Sequence, residues 1–427
     1  MTRTPRTEGI EVPLVGGHVS SVVRVGDMVH RSVSRGTEAV HGLLRYLEEV
    51  GFVGVPAVRG IDVEGREILT YLEGTVPNNT PWPEHVWSDE TLVDVGQWLR
   101  HYHTAVSAYR PDDASRWWYG EGAPREGEVI CHNDLAPYNA VFVDDRLAGV
   151  IDWDIAGPGQ PAWDLAFCAW SWIPLHHPDL THSLGGPSEV SQADRLRTLC
   201  DAYGFADAAS LMSTVIERVA ASRDGIESAA ARGDQAMQAL AEAGHVEDMK
   251  RTLAYLEDRT PELWRELGVD VVERVSARVA ILDEADRILL MSARDPEDGR
   301  LIWFLPGGTL EPGETVEQAA HRELSEEVQG SARFDLSGPI WKRRHLHTFA
   351  GRKISLREQY FVARVDASLI EDTYETGEGG RFFEGWRWWS VEELVAFDGI
   401  VGPRRLGELL RPIIAGELPT EPIDAGI

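Results

Sequence analysis

The sequence of 427 residues has very few cysteines, and this scarcity excludes a disulfide framework. Its three cysteines are Cys131, Cys168 and Cys200, and no two of them have the C-x-x-C spacing of metal-binding or redox sites. Small secreted proteins that are held together by disulfides are therefore excluded. A reducing, cytoplasmic compartment is the expectation that best fits this use of cysteine.

Long apolar runs and positive charge are also scarce. No stretch approaches the roughly 18 apolar residues of a membrane-spanning helix, and the start, MTRTPRTEGIEVPLVGG, lacks the apolar core of a signal peptide. Lysine and arginine total 41 against 70 aspartates and glutamates, which gives a formal net charge of −29. Because DNA and anionic membranes bind basic patches, we expect neither a nucleic acid nor a membrane as a partner.

The chain is long for one hydrophobic core, so two or more domains are expected. Residues 10–76 predict short strands around one helix, residues 92–267 are mostly helical, and strands return from about residue 270. We place the domains at 10–267 and 270–413 and predict a two-domain α+β protein.

Several boundaries within these domains can be predicted from local patterns. Gly26-Asp27 is a good hairpin turn, and Thr37 can cap the first helix. Gly204 and Gly233 are typical helix ends, and Thr260-Pro261 is typical of a cap followed by proline in the first helical turn.

Residues 132–139, HNDLAPYN, contain the first candidate site. Its spacing, His132-x-Asp134-x-x-x-x-Asn139, has the order of a kinase catalytic loop. In such a loop the aspartate orients or deprotonates the attacking hydroxyl, and the asparagine holds a metal ion. A purely structural role in turns and caps is the competing interpretation.

A second acidic residue, Asp152, follows the apolar run 147–151. The turn at 144–146 is expected to fold residues 140–143 back against this run, which would bring Asn139 near Asp152. Phosphoryl transfer depends on neutralising charge on the phosphates, and Mg²⁺, which does so, prefers oxygen ligands. Asp152 therefore lies where a second metal ligand is needed.

The motif HNDLAPYN, followed by GVIDWDIAGPGQPAWDLA at 149–166, resembles the aminoglycoside phosphotransferase and choline kinase-like family of small-molecule kinases. The resemblance implies a two-lobed protein kinase-like fold with a helical C-terminal lobe and ATP as the phosphoryl donor. It also implies that Asp134 is the catalytic base and that Asn139 and Asp152 are Mg²⁺ ligands. His132 and Asp164 would support the loops.

The nucleotide-binding end departs from the kinase pattern. Gly16-Gly17 precedes the first strand without a G-x-G-x-x-G motif, and Arg31 is the best candidate for the lysine that kinases carry on the third strand. Arg31 shares a strand face with Val29 and Val33, on the apolar side, where an arginine needs a partner. Either Arg31 clamps nucleotide phosphates, supported by Glu38, or it only pairs structurally with Glu38.

Residues 307–330, GGTLEPGETVEQAAHRELSEEVQG, predict an acidic helix after a glycine-rich loop. The letters TVEQ form a capping box that opens the helix. Glu323, Glu326 and Glu327 then fall at i, i+3 and i+4, which places three carboxylates on one face. A hard divalent cation such as Mg²⁺ or Mn²⁺ would relieve their repulsion, whereas a solvated acidic face is the competing interpretation.

This stretch resembles the Nudix hydrolase box, G-x5-E-x7-R-E-U-x-E-E-x-G-U, where U is a bulky apolar residue. The aligned positions are Gly308, Glu314, Arg322, Glu323, Leu324, Ser325, Glu326 and Glu327. The resemblance implies an α/β/α sandwich in which the glutamates bind a metal that activates water and polarises a diphosphate. Arg322 would orient these glutamates, and Gly307 and Gly308 would let the backbone approach a phosphate.

The end of the box departs from the family pattern. Gln329 stands where the family has glycine, and Gly330 takes the place of the final apolar residue. A left-handed cap at Gln329 would cost about 1 kcal/mol relative to glycine. We therefore expect the helix to run one residue further and to end at Gly330.

Further candidate residues follow the box. An extra base or ligand could come from four glutamates, unless they are ordinary surface residues: Glu358, Glu375, Glu378 and Glu384. His345 and His347 would share a strand face with Arg343 and would meet either a substrate phosphate or solvent. The tryptophans could stack a base, although core packing is the simpler role: Trp303, Trp341, Trp386, Trp388 and Trp389.

The sequence therefore predicts a cytoplasmic fusion of a small-molecule kinase-like domain with a Nudix hydrolase that acts on nucleotides or nucleotide-linked metabolites. Mg²⁺ or Mn²⁺ is expected at both sites and ATP at the first. The expected acceptor is a hydroxylated small molecule, and the acidic charge favours a cationic one. A homodimer through the Nudix domain is a further hypothesis. Two alternatives stay open. The N-terminal half could be catalytically silent and regulate the hydrolase by binding a ligand or partner. The protein could also be a nucleic-acid binder or decapping-type enzyme, which the negative charge disfavours.

Overall fold

The computed structural model divides into two compact units, Met1–Leu267 and Gly268–Ile427. The residues it describes are 10–14, 22–112, 114–118, 120–294, 299–327, 335–349, 351–369 and 383–426. None of the helices in this described part is long and apolar enough to cross a membrane.

The first unit opens with a five-stranded antiparallel sheet in the order β1-β2-β3-β5-β4. Its strands are β1 (Val12–Pro13), β2 (Val23–Val25), β3 (Met28–Arg31), β4 (Val58–Ile61) and β5 (Glu67–Thr70). Helix α1 (Thr37–Glu49) follows β3 and buries its predicted apolar face of valine and leucine. Thr37 is the first helical residue and Gly36 is the N-cap, so the cap lies one residue before the predicted position.

Helices dominate the remainder of the first unit. They are α2 (Asp89–Val106), α3 (Pro161–Trp172), α4 (Pro178–Ser183), α5 (Gln192–Tyr203), α6 (Ala208–Ala231), α7 (Gln235–Glu242) and α8 (His245–Glu266). Between α2 and α3 lie β6 (Val129–Cys131), β7 (Ala140–Val143), β8 (Arg146–Val150) and β9 (Gly157–Gly159). Strand β6 pairs with β9 and β7 with β8, both antiparallel.

Two predicted helix ends in this region are confirmed, and one predicted helix start is wrong. Gly204 caps α5 in the left-handed conformation, and Gly233 adopts the same conformation after α6. Thr260 and Pro261 do not open a helix, because α8 continues through both. Both residues are buried, as is the following Trp264, so tertiary packing outweighs the hydrogen bond that proline removes.

The second unit is built on a nine-stranded sheet. The main order is β17-β12-β11-β10-β15-β14-β18, while β13 pairs with β10 and β16 pairs with β11. The strands are β10 (Val271–Leu282), β11 (Ile288–Arg294), β12 (Leu301–Phe304), β13 (Gly307–Thr309), β14 (Ser337–Phe349), β15 (Arg352–Arg364), β16 (Phe383–Trp389), β17 (Ile400–Gly402) and β18 (Ile423–Asp424).

Helices cover both faces of this sheet, which gives the predicted α/β/α sandwich. Helix α9 (Val316–Glu327) packs on one face, and helices α10 (Val391–Ala396) and α11 (Leu406–Ile414) pack on the other. The five tryptophans contribute to these two cores, as the core-packing alternative predicted. The predicted capping box is present at the start of α9, where Thr315 and Gln318 exchange hydrogen bonds of 2.8 and 3.2 Å.

Candidate functional sites

The loop after β6 is held in place by the buried carboxylate of Asp164 on α3. The backbone amides of His132 and Asn133 each donate a hydrogen bond of 2.8 Å to this carboxylate, and His103 Nε2 lies 3.1 Å from it. Burial alone would raise the pKa of Asp164, but the contacts with His103 and His132 hold it below its ordinary value. Asp164 thus fixes the loop that carries the candidate site, and Asn133 adopts a left-handed backbone there.

Asp134 lies in this loop with two hydrogen-bond donors on its carboxylate. Asn139 Nδ2 donates to Oδ2 over 2.8 Å, and the Tyr138 hydroxyl donates to Oδ1 over 2.8 Å. Burial raises the pKa of Asp134 to about 7, and the negative charge of Asp152 adds to this effect, while the Tyr138 and Asn139 hydrogen bonds act against it. A carboxylate with a pKa near neutrality is suited to general-base chemistry.

The hairpin β7–β8 brings the other predicted residue close, as expected. Asp144 and Asp145 form its turn with left-handed backbones, and Ile151 N donates to Asn139 O over 2.9 Å. Asp152 follows immediately, also with a left-handed backbone at φ 62°. The structure therefore brings together Asp134, Asn139 and the Asp152 segment.

Arg31 lies in the same site, but its partner is not the predicted one. Its Nε donates to Glu67 Oε1 over 2.6 Å, Nη1 to Asp152 Oδ1 over 3.0 Å and Nη2 to Asp154 Oδ1 over 2.5 Å. The predicted partner, Glu38, is exposed on α1. The pairing with Glu38 is therefore wrong, because the sheet places Arg31 directly opposite Glu67 on the neighbouring strand β5.

A metal ion at Asp152 would share the carboxylate with Arg31. One oxygen of Asp152 and one oxygen of Asp154 already accept hydrogen bonds from the guanidinium of Arg31, whose side chain is only 10% exposed. Burial would lower the pKa of Arg31, but Asp154, Glu67 and Asp152 raise it above its ordinary value, so the cation is permanent. The sequence also has no lysine before Lys250 to take over the role of Arg31.

In the second unit, Arg322 on α9 organises the candidate metal site. Its Nε and Nη2 bind the two oxygens of Glu314 at 2.9 and 3.0 Å, and Nη1 binds Glu323 at 2.7 Å and Glu326 at 3.4 Å. Nη2 also donates to the carbonyl of Thr309 over 3.0 Å. Arg322 thus ties the glycine-rich loop, the loop before the helix and the helix itself into one unit. That it orients metal ligands stays a prediction.

The loop glycines allow the backbone to approach this site closely. A Cβ atom on Gly308 would fall 2.3 to 2.6 Å from the carboxylate atoms of Glu323. A Cβ atom on Gly307, which has φ 131°, would fall 2.1 Å from Ala277 O. At Gly307 only glycine fits without displacement of β10, whereas at Gly308 a larger residue would displace the carboxylate of Glu323.

The described donors of the second site fit a divalent ion. Glu323 and Glu326 present hard carboxylate oxygens on one face of α9. Arg322 with its carboxylate partners Glu314, Glu323 and Glu326 is hereafter called the Arg322 hub. Its contacts engage one oxygen each of Glu323 and Glu326 and leave the other oxygen available. The side chain of Glu327 lies outside the described residues, as do Gln329, Gly330, Glu375 and Glu378.

Two glutamates that we considered as extra bases are engaged in ion pairs. Glu358 is buried and accepts hydrogen bonds from Arg278 Nε at 2.8 Å, the Tyr360 hydroxyl at 2.7 Å and Arg343 Nη1 at 3.4 Å. Glu384 pairs with Arg294 at 2.9 Å. The two arginines hold the pKa of Glu358 below its ordinary value, so Glu358 is poorly suited to accept a proton from water.

Sequence reasoning missed three residues of the first site and one of the second. Glu67, Asp154 and Tyr138 all contact Arg31 or Asp134, and Arg278 Nη1 donates to Gly307 O over 2.7 Å. Asp154 could have been found from its place in the Asp152-Trp153-Asp154 triplet. Glu67 carried no local signal, because its role depends on the pairing of β3 with β5.

Comparisons with known proteins agree with the two-part architecture. The phosphotransferase enzyme family matches residues 118–183, and the NUDIX domain family matches residues 272–410. A trifolitoxin immunity protein from Rhizobium leguminosarum bv. trifolii is 34% identical over 199 residues, which are 46% of this chain and 74% of that protein. An RNA pyrophosphohydrolase from Marinomonas sp. (strain MWYL1) is 34% identical over 128 residues, which are 26% of this chain and 77% of that protein.

Among solved structures, the macrolide 2'-phosphotransferase from Brachybacterium faecium is similar at 18% identity and a TM-score of 0.37, covering 56% of this chain and 91% of that one. The fold and the two sites define a kinase-like phosphotransferase domain followed by a Nudix hydrolase domain. The chain therefore belongs to the phosphotransferase enzyme family through its first unit and to the NUDIX family through its second.

Proposed function

We propose that the C-terminal unit is a metal-dependent hydrolase of nucleoside diphosphate-linked compounds. The observation that carries this proposal is the Arg322 hub, which holds Glu323 and Glu326 against the Gly307-Gly308 loop. Glu323 and Glu326 would hold Mg²⁺ or Mn²⁺, which supplies positive charge for the diphosphate and a bound water of lowered pKa. Glu327 is the third proposed ligand.

The side chains around the metal position have separate roles in this proposal. Arg322 fixes the carboxylates in one geometry before substrate arrives, which lowers the reorganisation that the reaction requires. Gly307 and Gly308 let backbone groups approach the diphosphate at the loop that precedes α9. Glu326, which is more exposed than Glu323, is the residue whose loss we expect to be most damaging to chemistry without damage to the fold.

For the N-terminal unit, the first candidate function is phosphoryl transfer from ATP to a hydroxylated small molecule. Asp134 favours it, because a half-buried carboxylate with a pKa of about 7 and two ordered donors is suited to take a proton from a hydroxyl. The acidic surroundings also favour a cationic acceptor. Asp152 would serve as a metal ligand through Oδ2, the oxygen that Arg31 does not contact.

The second candidate for this unit is a ligand-binding module that transfers no phosphate. The contacts of Arg31 favour it, since this arginine occupies one oxygen each of Asp152, Asp154 and Glu67. The trifolitoxin immunity protein, by its name, protects against a toxin, and either binding or modification of a toxic compound by the N-terminal unit would serve such a role.

The experiment that tests both units is a screen for Mg²⁺-dependent release of phosphate and nucleotide. The panel contains ATP, GTP, ADP-ribose, nucleotide sugars, dinucleoside polyphosphates and, because of the relatives named RNA pyrophosphohydrolase, a 5'-triphosphorylated oligoribonucleotide. Each compound is assayed with and without hydroxylated amines. The proteins are wild type, Glu326→Gln and Asp134→Ala, with Glu317→Gln and Asp201→Ala as controls, which alter exposed carboxylates on α9 and α5.

The hydrolase proposal is supported if Glu326→Gln no longer releases phosphate or nucleotide from a compound that wild type and Glu317→Gln both hydrolyse. Retention of that release in Glu326→Gln would contradict it. For the N-terminal unit, phosphate transfer to an acceptor that is lost in Asp134→Ala supports the kinase candidate. The melting temperature of the N-terminal unit is also measured with and without Mg²⁺ and ATP, in a Glu326→Gln background. If these ligands do not change the melting temperature, or if they change it equally when Asp152→Ala is added, the binding-module candidate is the better one.

A further inference from the structure

We propose that an anion site centred on Arg343 binds a phosphate group of the substrate of the C-terminal unit. The site consists of Arg278, Arg343, His345 and His347, hereafter the arginine–histidine cluster. The inference rests on the proposed hydrolase function and adds the part of the protein that would recognise substrate charge away from the α9 carboxylates.

The two arginines of the cluster share a single carboxylate, that of Glu358. Arg343 on β14 lies opposite Glu358 on β15, and Arg278 on β10 reaches the same carboxylate from the other side. Burial would raise the pKa of Glu358, but the two arginines hold it below its ordinary value, so Glu358 is anionic. One negative charge therefore faces two permanent positive charges.

Arg343 has hydrogen-bonding capacity that the described residues do not use. Its side chain is only 10% exposed, and its buried Nε has no hydrogen-bond partner in the described part of the protein. A buried donor without a partner is unfavourable, and a guanidinium prefers a carboxylate or phosphate acceptor. An anion that binds against Arg343 would supply this acceptor.

His345 and His347 lie beside Arg343 in the cluster. His345 Nδ1 lies 3.2 Å from Arg343 Nη2, and the rings of His345 and His347 stack with centroids 4.7 Å apart. Burial, together with the neighbouring Arg343, His347, Arg404 and Arg278, holds the pKa of His345 well below its ordinary value. Because a guanidinium can only donate, Nδ1 of His345 accepts the hydrogen bond from Arg343. The neutral ring then carries its proton at Nε2, where the N–H can donate to an anion.

The cluster is connected to the proposed catalytic loop through Arg278. Its Nη1 donates to Gly307 O over 2.7 Å, and the next residue, Gly308, contacts the carboxylate of Glu323. On the other side of the cluster, a Cβ atom on Gly402 would fall 3.1 Å from Arg343 Nη1, so glycine keeps the end of β17 clear of the guanidinium. One substrate with several phosphates could therefore reach both Glu323 and Arg343.

The competing role for these arginines is structural, in which they only neutralise Glu358. The two roles differ in what happens when Arg343 is changed. A structural arginine affects the stability of the unit and leaves affinity for phosphates unchanged, whereas an anion-binding arginine affects the affinity directly.

The test uses the full chain and inorganic pyrophosphate as the probe, in EDTA so that binding through a metal ion is suppressed. Titration calorimetry compares wild type, Arg343→Gln and Arg343→Lys, with Arg364→Gln as the matched control. Arg364 lies on the same sheet, is half exposed and pairs with Asp286, away from the cluster. We expect Arg343→Gln to weaken pyrophosphate binding by about 10-fold or more, since a charged hydrogen bond is lost, and Arg364→Gln to bind as wild type does.

Steady-state hydrolysis gives the second readout. We expect Arg343→Gln to raise KM by about 10-fold with little change in kcat, because a phosphate held away from the scissile bond contributes to binding in both ground and transition states. Arg343→Lys keeps the charge opposite Glu358 but loses the planar fork, so it should fold even if Arg343→Gln does not, and should also weaken binding.

The outcomes separate this inference from the hydrolase proposal. If Arg343→Lys and any folded Arg343→Gln bind pyrophosphate as wild type does and leave KM unchanged, or if wild type binds no pyrophosphate in EDTA, the anion site is overturned. If hydrolysis persists in Glu326→Gln while Arg343→Gln loses pyrophosphate binding, the hydrolase proposal fails and the anion site stands.

Discussion

Two arginines, Arg31 and Arg322, each bind three carboxylates, but they distribute their donor nitrogens among these carboxylates differently. Arg322 holds Glu314 with two hydrogen bonds and touches the two candidate metal ligands through one nitrogen. Arg31 gives a separate nitrogen to each of its three partners and is more deeply buried. Both are poor sites for lysine, because a single ammonium cannot reproduce the directions of the guanidinium donors.

At the residue scale, the clearest pH-dependent group is Asp134. Its pKa is raised from 3.8 to about 7, chiefly by burial. Between these two values the folded protein keeps a proton that the unfolded chain has lost. The contribution of this group to stability therefore falls as the pH rises from about 4 to about 7, and it changes little above that range.

We predict that the carboxyl of Asp134 titrates with a midpoint near pH 7 in a carbon-detected NMR experiment. Wild type should also lose stability relative to Asp134→Asn as the pH rises from 4 to 7, in denaturant unfolding monitored at several pH values. Any phosphotransfer by the N-terminal unit should increase over the same interval, because the base must lose its proton. A midpoint near 4, with a pH-independent difference between the two proteins, would contradict the raised pKa.

At the scale of elements, the second site depends on the close approach of strand β13 to helix α9. Gly308 allows this approach because the Glu323 carboxylate occupies the space where a Cβ atom would lie. The capping box at Thr315 fixes where α9 begins, and the Arg322 hub fixes how its first two turns face the loop. Helix and loop are therefore positioned as a pair.

We predict that Gly308→Ala lowers hydrolysis by about 100-fold, the order of loss that a displacement of about 1 Å causes at a catalytic centre. The measurement is kcat/KM on the nucleotide identified by the screen, with circular dichroism to verify the fold. Gly225→Ala is the control, since Gly225 lies in α6 with no atom within 4 Å of the added methyl group. This control should leave hydrolysis unchanged and raise stability by up to about 1 kcal/mol. Equal activity of Gly308→Ala and wild type would show that the approach is not required.

At the scale of the whole molecule, each of the two units has its own buried apolar residues. Leu256 on α8 and Leu290 on β11 are fully buried in the first and second units respectively. Each unit therefore has the apolar core that independent folding requires. The sites described here are built entirely within one unit each.

We predict that fragments 1–267 and 268–427 fold separately, and that the second retains the hydrolysis of the full chain. In the full chain, Leu256→Ala should destabilise one thermal transition by about 2–5 kcal/mol, and Leu290→Ala should destabilise the other by a similar amount. Differential scanning calorimetry of both variants measures this. A single transition that responds to both substitutions would show that the units unfold together.

Much of the architecture could be predicted from the sequence, because its signals are local. The spacing of apolar residues placed α1, the capping box placed the start of α9, and the two motifs placed Asp134 and Glu323 on the loop and helix where they occur. The hairpin at Asp144 and Asp145 followed from turn chemistry alone. Such features depend on neighbours within a few positions along the chain, so the chain itself carries their cause.

Only the tertiary structure decided the contacts between segments that are distant along the chain. Arg31 pairs with Glu67 because β3 and β5 are neighbours in register, whereas Glu38, though closer in sequence, faces away on α1. Pro261 stays inside α8 because the surrounding core holds the helix together. The sequence determined which residue types each segment offers, while sheet register and core packing, which sum contributions from the whole unit, determined which of these residues meet.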